Sequence, residues 1–114
     1  MDIAREVAAK LPASLKCFGV CEKFAPALVK ALQKEGVSGT RIIIRRRGVG
    51  IADGRGGGQY LGANVHQAVR VGDTLFDNLN PGGIPYQAWR DNLTFVDGGI
   101  ASAVTDAFVR YIPF

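Results

Sequence analysis

Val65-His-Gln-Ala-Val-Arg-Val-Gly-Asp-Thr-Leu-Phe-Asp77 is two short runs of β-favouring residues joined by Gly72-Asp73. β-branched and apolar residues alternate with polar ones on either side of a two-residue turn signal, which spells an antiparallel hairpin, although the usual order with Gly second is reversed. Side chains alternate between faces along a strand, so Val65, Val69 and Val71 share one face while His66, Ala68 and Arg70 share the other. A tight turn returns the end of the second strand to the beginning of the first, which brings Asp77 toward His66. Asn78 is the substitute if the register slips by one, because one step reverses the face.

Upstream of the hairpin, Thr40-Arg-Ile-Ile-Ile-Arg-Arg, Val49-Gly-Ile-Ala and Gln59-Tyr-Leu also read as strands, and Thr94-Phe-Val-Asp as a short edge strand. A sheet of about four or five antiparallel strands follows. Helices come first in the chain. Asp2 is a candidate N-cap for a short amphipathic helix on which Ile3, Val7, Ala8 and Leu11 share a face, ended by Pro12. After a loop containing Gly19, Phe24, Ala25, Leu28, Ala31 and Leu32 recur at helical spacing, and Gly36 closes the helix. Pro26 is tolerated close to a helix start, so this second helix begins near Cys21, with the cysteine on its inward face. Downstream, Asn80-Pro-Gly-Gly reads as a turn, Ile84–Asp91 as a short helix, and Ile100, Val104, Ala107, Phe108 and Tyr111 fall at helical spacing. The fold class is α+β, with N-terminal helices packed on an antiparallel sheet.

The chain has 114 residues, suited to one domain spanning 1–114 with one core. Its longest apolar runs are far below the roughly 20 residues of a membrane-spanning helix. Its first residues mix both charges where a signal peptide would be basic and then apolar, so export in this form is not expected. A net charge of +4 is modest. Arg45-Arg46-Arg47 is the densest basic cluster, and a solvated strand end or turn is the simpler account of it than a nucleic-acid contact.

Two cysteines and one histidine cannot supply the four ligands of a structural zinc site of the cysteine and histidine kind. Cys17 and Cys21, four residues apart, read as reduced thiols. No cofactor or metal is expected. Cys21 is the better nucleophile candidate of the two. Unpaired N–H groups and the dipole at a helix start favour its thiolate, and the same N–H groups can serve an oxyanion. His66 is the one available imidazole base, and Asp77 can hold its second nitrogen and fix the tautomer. Taken singly, each residue has a plainer role: Cys21 as a small buried hydrophobe, His66 as a hydrogen-bonded strand residue, Asp77 as a turn cap. Their order, Cys on a helix, His on a strand, Asp on the next strand, is what points to chemistry.

Cys21-Glu-Lys-Phe-Ala with Leu28 and Leu32, then Asn64-Val-His66 through Asp77-Asn78, then Pro81-Gly-Gly-Ile-Pro-Tyr86-Gln-Ala-Trp89, resemble the papain-fold toxin domains at the C-termini of bacterial polymorphic toxins. The resemblance implies a papain-like core and a Cys-His-Asp triad at Cys21, His66 and Asp77. It also implies secretion as the C-terminal part of a larger effector, action in the target-cell cytoplasm on a protein or peptide, and a cognate immunity protein. The chemistry implied is that of a cysteine-dependent hydrolase or transferase, a peptidase or deamidase. A basic domain cleaving RNA and a non-catalytic binding module are the alternatives. No glutamine precedes Cys21 to complete an oxyanion hole as papain-like enzymes commonly have, so Lys16, the Cys17 N–H or another backbone donor must serve. Gly54-Arg-Gly-Gly-Gly58 lacks the Lys-Ser/Thr pair of a phosphate loop and reads as a loop flanking the site. Tyr86 and Trp89 read as packing onto the sheet.

Overall fold

In the computed structural model, residues 3–16, 21–53 and 59–114 are described, with the side chains of Cys21, Gln59 and Tyr60 left aside. The expectations for Asp2, Cys17, Gly19 and Gly54–Gly58 lie outside the described residues. Helices α1 (Ile3–Ala9) and α2 (Cys21–Lys34) precede strands β1 (Thr40–Asp53), β2 (Gln59–Val71), β3 (Thr74–Asp77) and β4 (Asn80–Pro85). Helix α3 (Tyr86–Asn92) leads into β5 (Leu93–Asp97), β6 (Ile100–Ala103) and β7 (Val109–Pro113). The strands form one seven-stranded sheet in the order β4-β3-β2-β1-β5-β6, with β7 paired to β1, and every pairing is antiparallel. The architecture is α+β, with more strands than the four or five expected.

Three differences separate the observed sheet from the expected one, the first merging strands and the other two adding them. Thr40–Arg46 and Val49–Ala52 are one bent strand, because the irregularity between Arg45 and Gly50 is absorbed without breaking the pairing to β2. Gly48 takes a φ of 78°, and its N–H donates to Asn64 Oδ1 at 2.7 Å, with Asn64 itself at a φ of 68°. β2 likewise joins Gln59–Leu61 to Val65–Val71. Next, Asn80–Gly83 forms the start of β4, because the turn falls at Asn78-Leu79, where Asp77 Oδ1 accepts from the Leu79 and Asn80 N–H groups. Gly83 lets β4 lie close to β3: at its φ of 85° a Cβ would meet Thr74 Cγ2 at 2.6 Å. Lastly, the tail from Ile100 to Tyr111 forms no α-helix: it is two strands joined through a single 3-10 turn at Asp106–Phe108. Pairing of Asp97 with Ile100 across Gly98-Gly99, and of β7 with β1, overrides an apolar spacing that suited a helix. β5 accordingly lies inside the sheet, between β1 and β6.

The core has two parts, one on each face of β2. On one, Ala4, Ala8, Phe24, Ala25, Leu28 and Leu32 of α1 and α2 pack on Val69 and Phe76. On the other, Ile42, Ile44, Ala68, Leu75, Trp89, Leu93 and Phe95 pack together with Val104. α2 therefore covers the Val69 face. The His66 and Ala68 face is not available to this helix, because Ala68 is already enclosed by Ile42, Ile44, Leu75 and Trp89. Arg90 ties α3 to the tail, donating to the Val104 carbonyl at 2.9 Å and pairing with Asp106 at 3.0 Å.

Candidate active site

β2 and β3 pair across Gly72-Asp73 with Val71 opposite Thr74 and Val69 opposite Phe76. Continued by one step, that register sets Asp77 opposite Ala68 and diagonal to His66, on the same face. The side chains close this diagonal: His66 Nε2 lies 3.0 Å from Asp77 Oδ2, and both residues are 0% exposed. Trp89 Nε1–H donates to the same oxygen at 3.1 Å. Asp77 Oδ1 accepts from the Leu79 N–H at 3.1 Å, the Asn80 N–H at 2.7 Å and Asn80 Nδ2 at 2.8 Å. One buried carboxylate thus receives donors at both oxygens.

Burial pushes the Asp77 carboxyl up, but the hydrogen bond and charge of His66, then the bonds from Asn80, outweigh it and hold the group below its ordinary value of 3.8. An ionised Asp77 only accepts, so Nε2 of His66 carries the proton, and in the neutral ring the basic nitrogen is Nδ1. A depressed folded pKa means that the stabilisation is complete above the ordinary carboxylate value and is lost as pH falls through the folded one. We expect denaturant unfolding to show stability falling as pH drops below about 3.8, and Asp77→Asn to lack that component.

Sequence reasoning missed Trp89 and Asn80 as partners of the carboxylate. The sequence points to a packing role for Trp89, and it is fully buried against Tyr86 and His66, with ring centroids 6.2 and 6.4 Å apart. A buried indole N–H needs an acceptor, and that need was the available signal. Trp89→Phe removes the donor and some volume. It is expected to cost about 1–3 kcal/mol in chemical denaturation and to lower activity by loosening Asp77.

Cys21 opens α2, as the periodicity predicts, and its side chain is outside the described set. The body of α2 packs on the Val69 face of β2, whereas His66 and Asp77 lie on the opposite, Ala68 and Trp89 face. Glu22, in that turn, lines a groove with Arg45, Arg47, Ala63, Asn64 and Val65. Lys16 Nζ donates to the Ala9 carbonyl at 3.0 Å, at the end of α1. Asn78 is buried beside Asp77, and the carboxylate facing His66 belongs to Asp77. Among the described residues no group of three or more His, Cys, Asp and Glu is arranged to hold a metal ion, and no helix is long and apolar enough to cross a membrane.

Residues 9–94, well over half of the sequence and including Cys21, His66 and Asp77, match the family model described as papain fold toxin 2. The chain belongs to the papain fold toxin 2 family. No curated protein and no solved structure matched it. For this papain fold toxin 2 domain, membership agrees with a toxin role and with cysteine-type chemistry, and the antiparallel sheet with N-terminal helices is its α+β fold.

Proposed function

We propose that this domain is a cysteine-dependent acyl hydrolase or transferase, with Cys21 as nucleophile, His66 as base and Asp77 as the residue that positions His66. The observation that carries it is the fully buried His66–Asp77 pair at 3.0 Å in a chain whose α2 begins at Cys21. Thiolate attack on an amide carbonyl forms a C–S bond and an oxyanion, for which N–H groups of the first turn of α2 would serve as donors. Nδ1–H of His66 passes its proton to the departing nitrogen, leaving a thioester on Cys21. Water, losing its proton to Nδ1, or an acceptor amine in the transferase case, then attacks the thioester and frees the thiolate. Asp77 holds the tautomer throughout and offsets the charge formed on the ring.

As a toxin, the domain would be delivered as the C-terminal part of a larger effector, act on a protein in the target-cell cytoplasm, and be neutralised by a cognate immunity protein. Near neutral pH, iodoacetamide should label Cys21 at least about tenfold faster than Cys17, read by peptide mass spectrometry. Equal slow labelling would remove the activated thiol. Mass spectrometry of target-cell proteins exposed to wild type and to Cys21→Ala should find modified or cleaved proteins with wild type alone, with cellular RNA intact. Degraded RNA would favour nuclease action instead.

A further inference from the structure

The groove beside α2 has a volume of about 540 Å³ and is lined by Glu22, Arg45, Arg47, Ala63, Asn64 and Val65. Glu22 adjoins Cys21 in sequence and Val65 adjoins His66, so the groove runs one residue from each. Its cations are set by the bend in β1. Alternation turns Arg45 and Arg47 to one side, both exposed, while Arg46 points to the other and rests over the rings of Phe95 and Phe108 at 5.0 and 4.9 Å. The Gly48 N–H to Asn64 Oδ1 bond pins this segment of β1 to β2 and leaves the Asn64 NH2 as a donor. Among the described residues neither Arg45 nor Arg47 makes an ion pair or a side-chain hydrogen bond.

From this geometry we infer that the Arg45–Arg47 groove is a specificity subsite that binds an acidic side chain of a protein substrate beside the reacting amide, an assignment that rests on Cys21 being the nucleophile. Two guanidinium groups on one wall match a carboxylate, which each can engage through two parallel N–H donors. The groove suits a single acidic residue better than a nucleic-acid strand. Glu22 offsets one of the two cations, leaving an excess that one carboxylate balances and a run of phosphates exceeds, Arg46 is turned away, and among the described residues no aromatic ring lines the wall to stack a base.

The test uses short peptides with a C-terminal chloromethyl ketone and one Glu, or Gln at the same place, moved through the peptide. The rate of Cys21 alkylation is followed by mass spectrometry. Wild type should react about tenfold faster with Glu than with Gln at one position or more. Arg45→Ala/Arg47→Ala should bring the ratio to about one, whereas Arg110→Ala, an exposed arginine on β7, should keep it. A ratio near one in wild type, or one that survives the double substitution, overturns the subsite. The ratio is readable at whatever rate Cys21 shows, so a sluggish thiol, which would count against the nucleophile, still reports on the groove. A single-stranded oligoribonucleotide that protects Cys21 at physiological salt, with protection lost in the double variant, would overturn the acidic-protein assignment in favour of RNA.

Discussion

Cys21→Ala is expected to abolish growth inhibition when the domain is expressed inside a susceptible bacterium, with far-ultraviolet circular dichroism and unfolding midpoint close to wild type. Removing the attacking atom eliminates the covalent route, and losses on the order of a thousandfold or more are usual when a nucleophile is deleted. Stability should change little, because alanine suits a helix start less than a cap residue does but continues a helix well, and α2 is anchored further along by Phe24, Leu28 and Leu32. Cys17→Ala should leave toxicity intact. Full toxicity of the Cys21 variant would remove the covalent mechanism and turn attention to RNA.

The second large effect belongs to Asp77. Alanine there strands His66 Nε2, Trp89 Nε1, the Leu79 and Asn80 N–H groups and Asn80 Nδ2, all donors to the same carboxylate. Buried donors without an acceptor are costly, and breaking such a network is expected to cost about 3–5 kcal/mol, measurable as a shifted denaturant midpoint. Asp77→Asn is gentler on the fold and harsher on chemistry. Its volume is kept, and its oxygen can still serve the turn at Asn78-Leu79, but its NH2 group then faces both His66 and the indole N–H. To accept from that NH2, His66 must move its proton to Nδ1, which removes the basic nitrogen. Activity is expected to fall by about 10³–10⁴ while the domain stays folded. An active Asp77→Asn domain would show that the carboxylate serves the turn alone.

The hairpin was the most legible part of the chain. Gly72-Asp73 between two alternating runs determined which strands pair, and pairing with a tight turn brought Asp77 toward His66. Terminal signals served α2 equally well, since Gly36 and the spacing from Phe24 to Leu32 bracket the helix that begins at Cys21. What escaped were features decided by distant partners. Ile100–Tyr111 had an apolar spacing compatible with a helix, and only the neighbouring strands β5 and β1 turn it into β6 and β7. The face on which α2 packs was equally hidden, because Val69 and Phe76 offer an apolar surface no less suitable than Ala68, and it is the burial of Trp89 on the Ala68 side that settles the matter. Asn80-Pro-Gly-Gly reads as a turn, yet the position of Asn80 just past Asp77 makes it a donor to the carboxylate.

The interplay of sulfur and imidazole is open to direct titration. Thiolate absorbance of the Cys17→Ser protein, followed across pH, should reveal Cys21 ionising at least about one unit below the ordinary thiol value of about 8.5, with His66→Gln moving it back up toward that value. A Cys21 that titrates near 8.5, or whose titration is indifferent to the loss of His66, would contradict a joined pair and leave His66 and Asp77 as a structural couple inside the sheet.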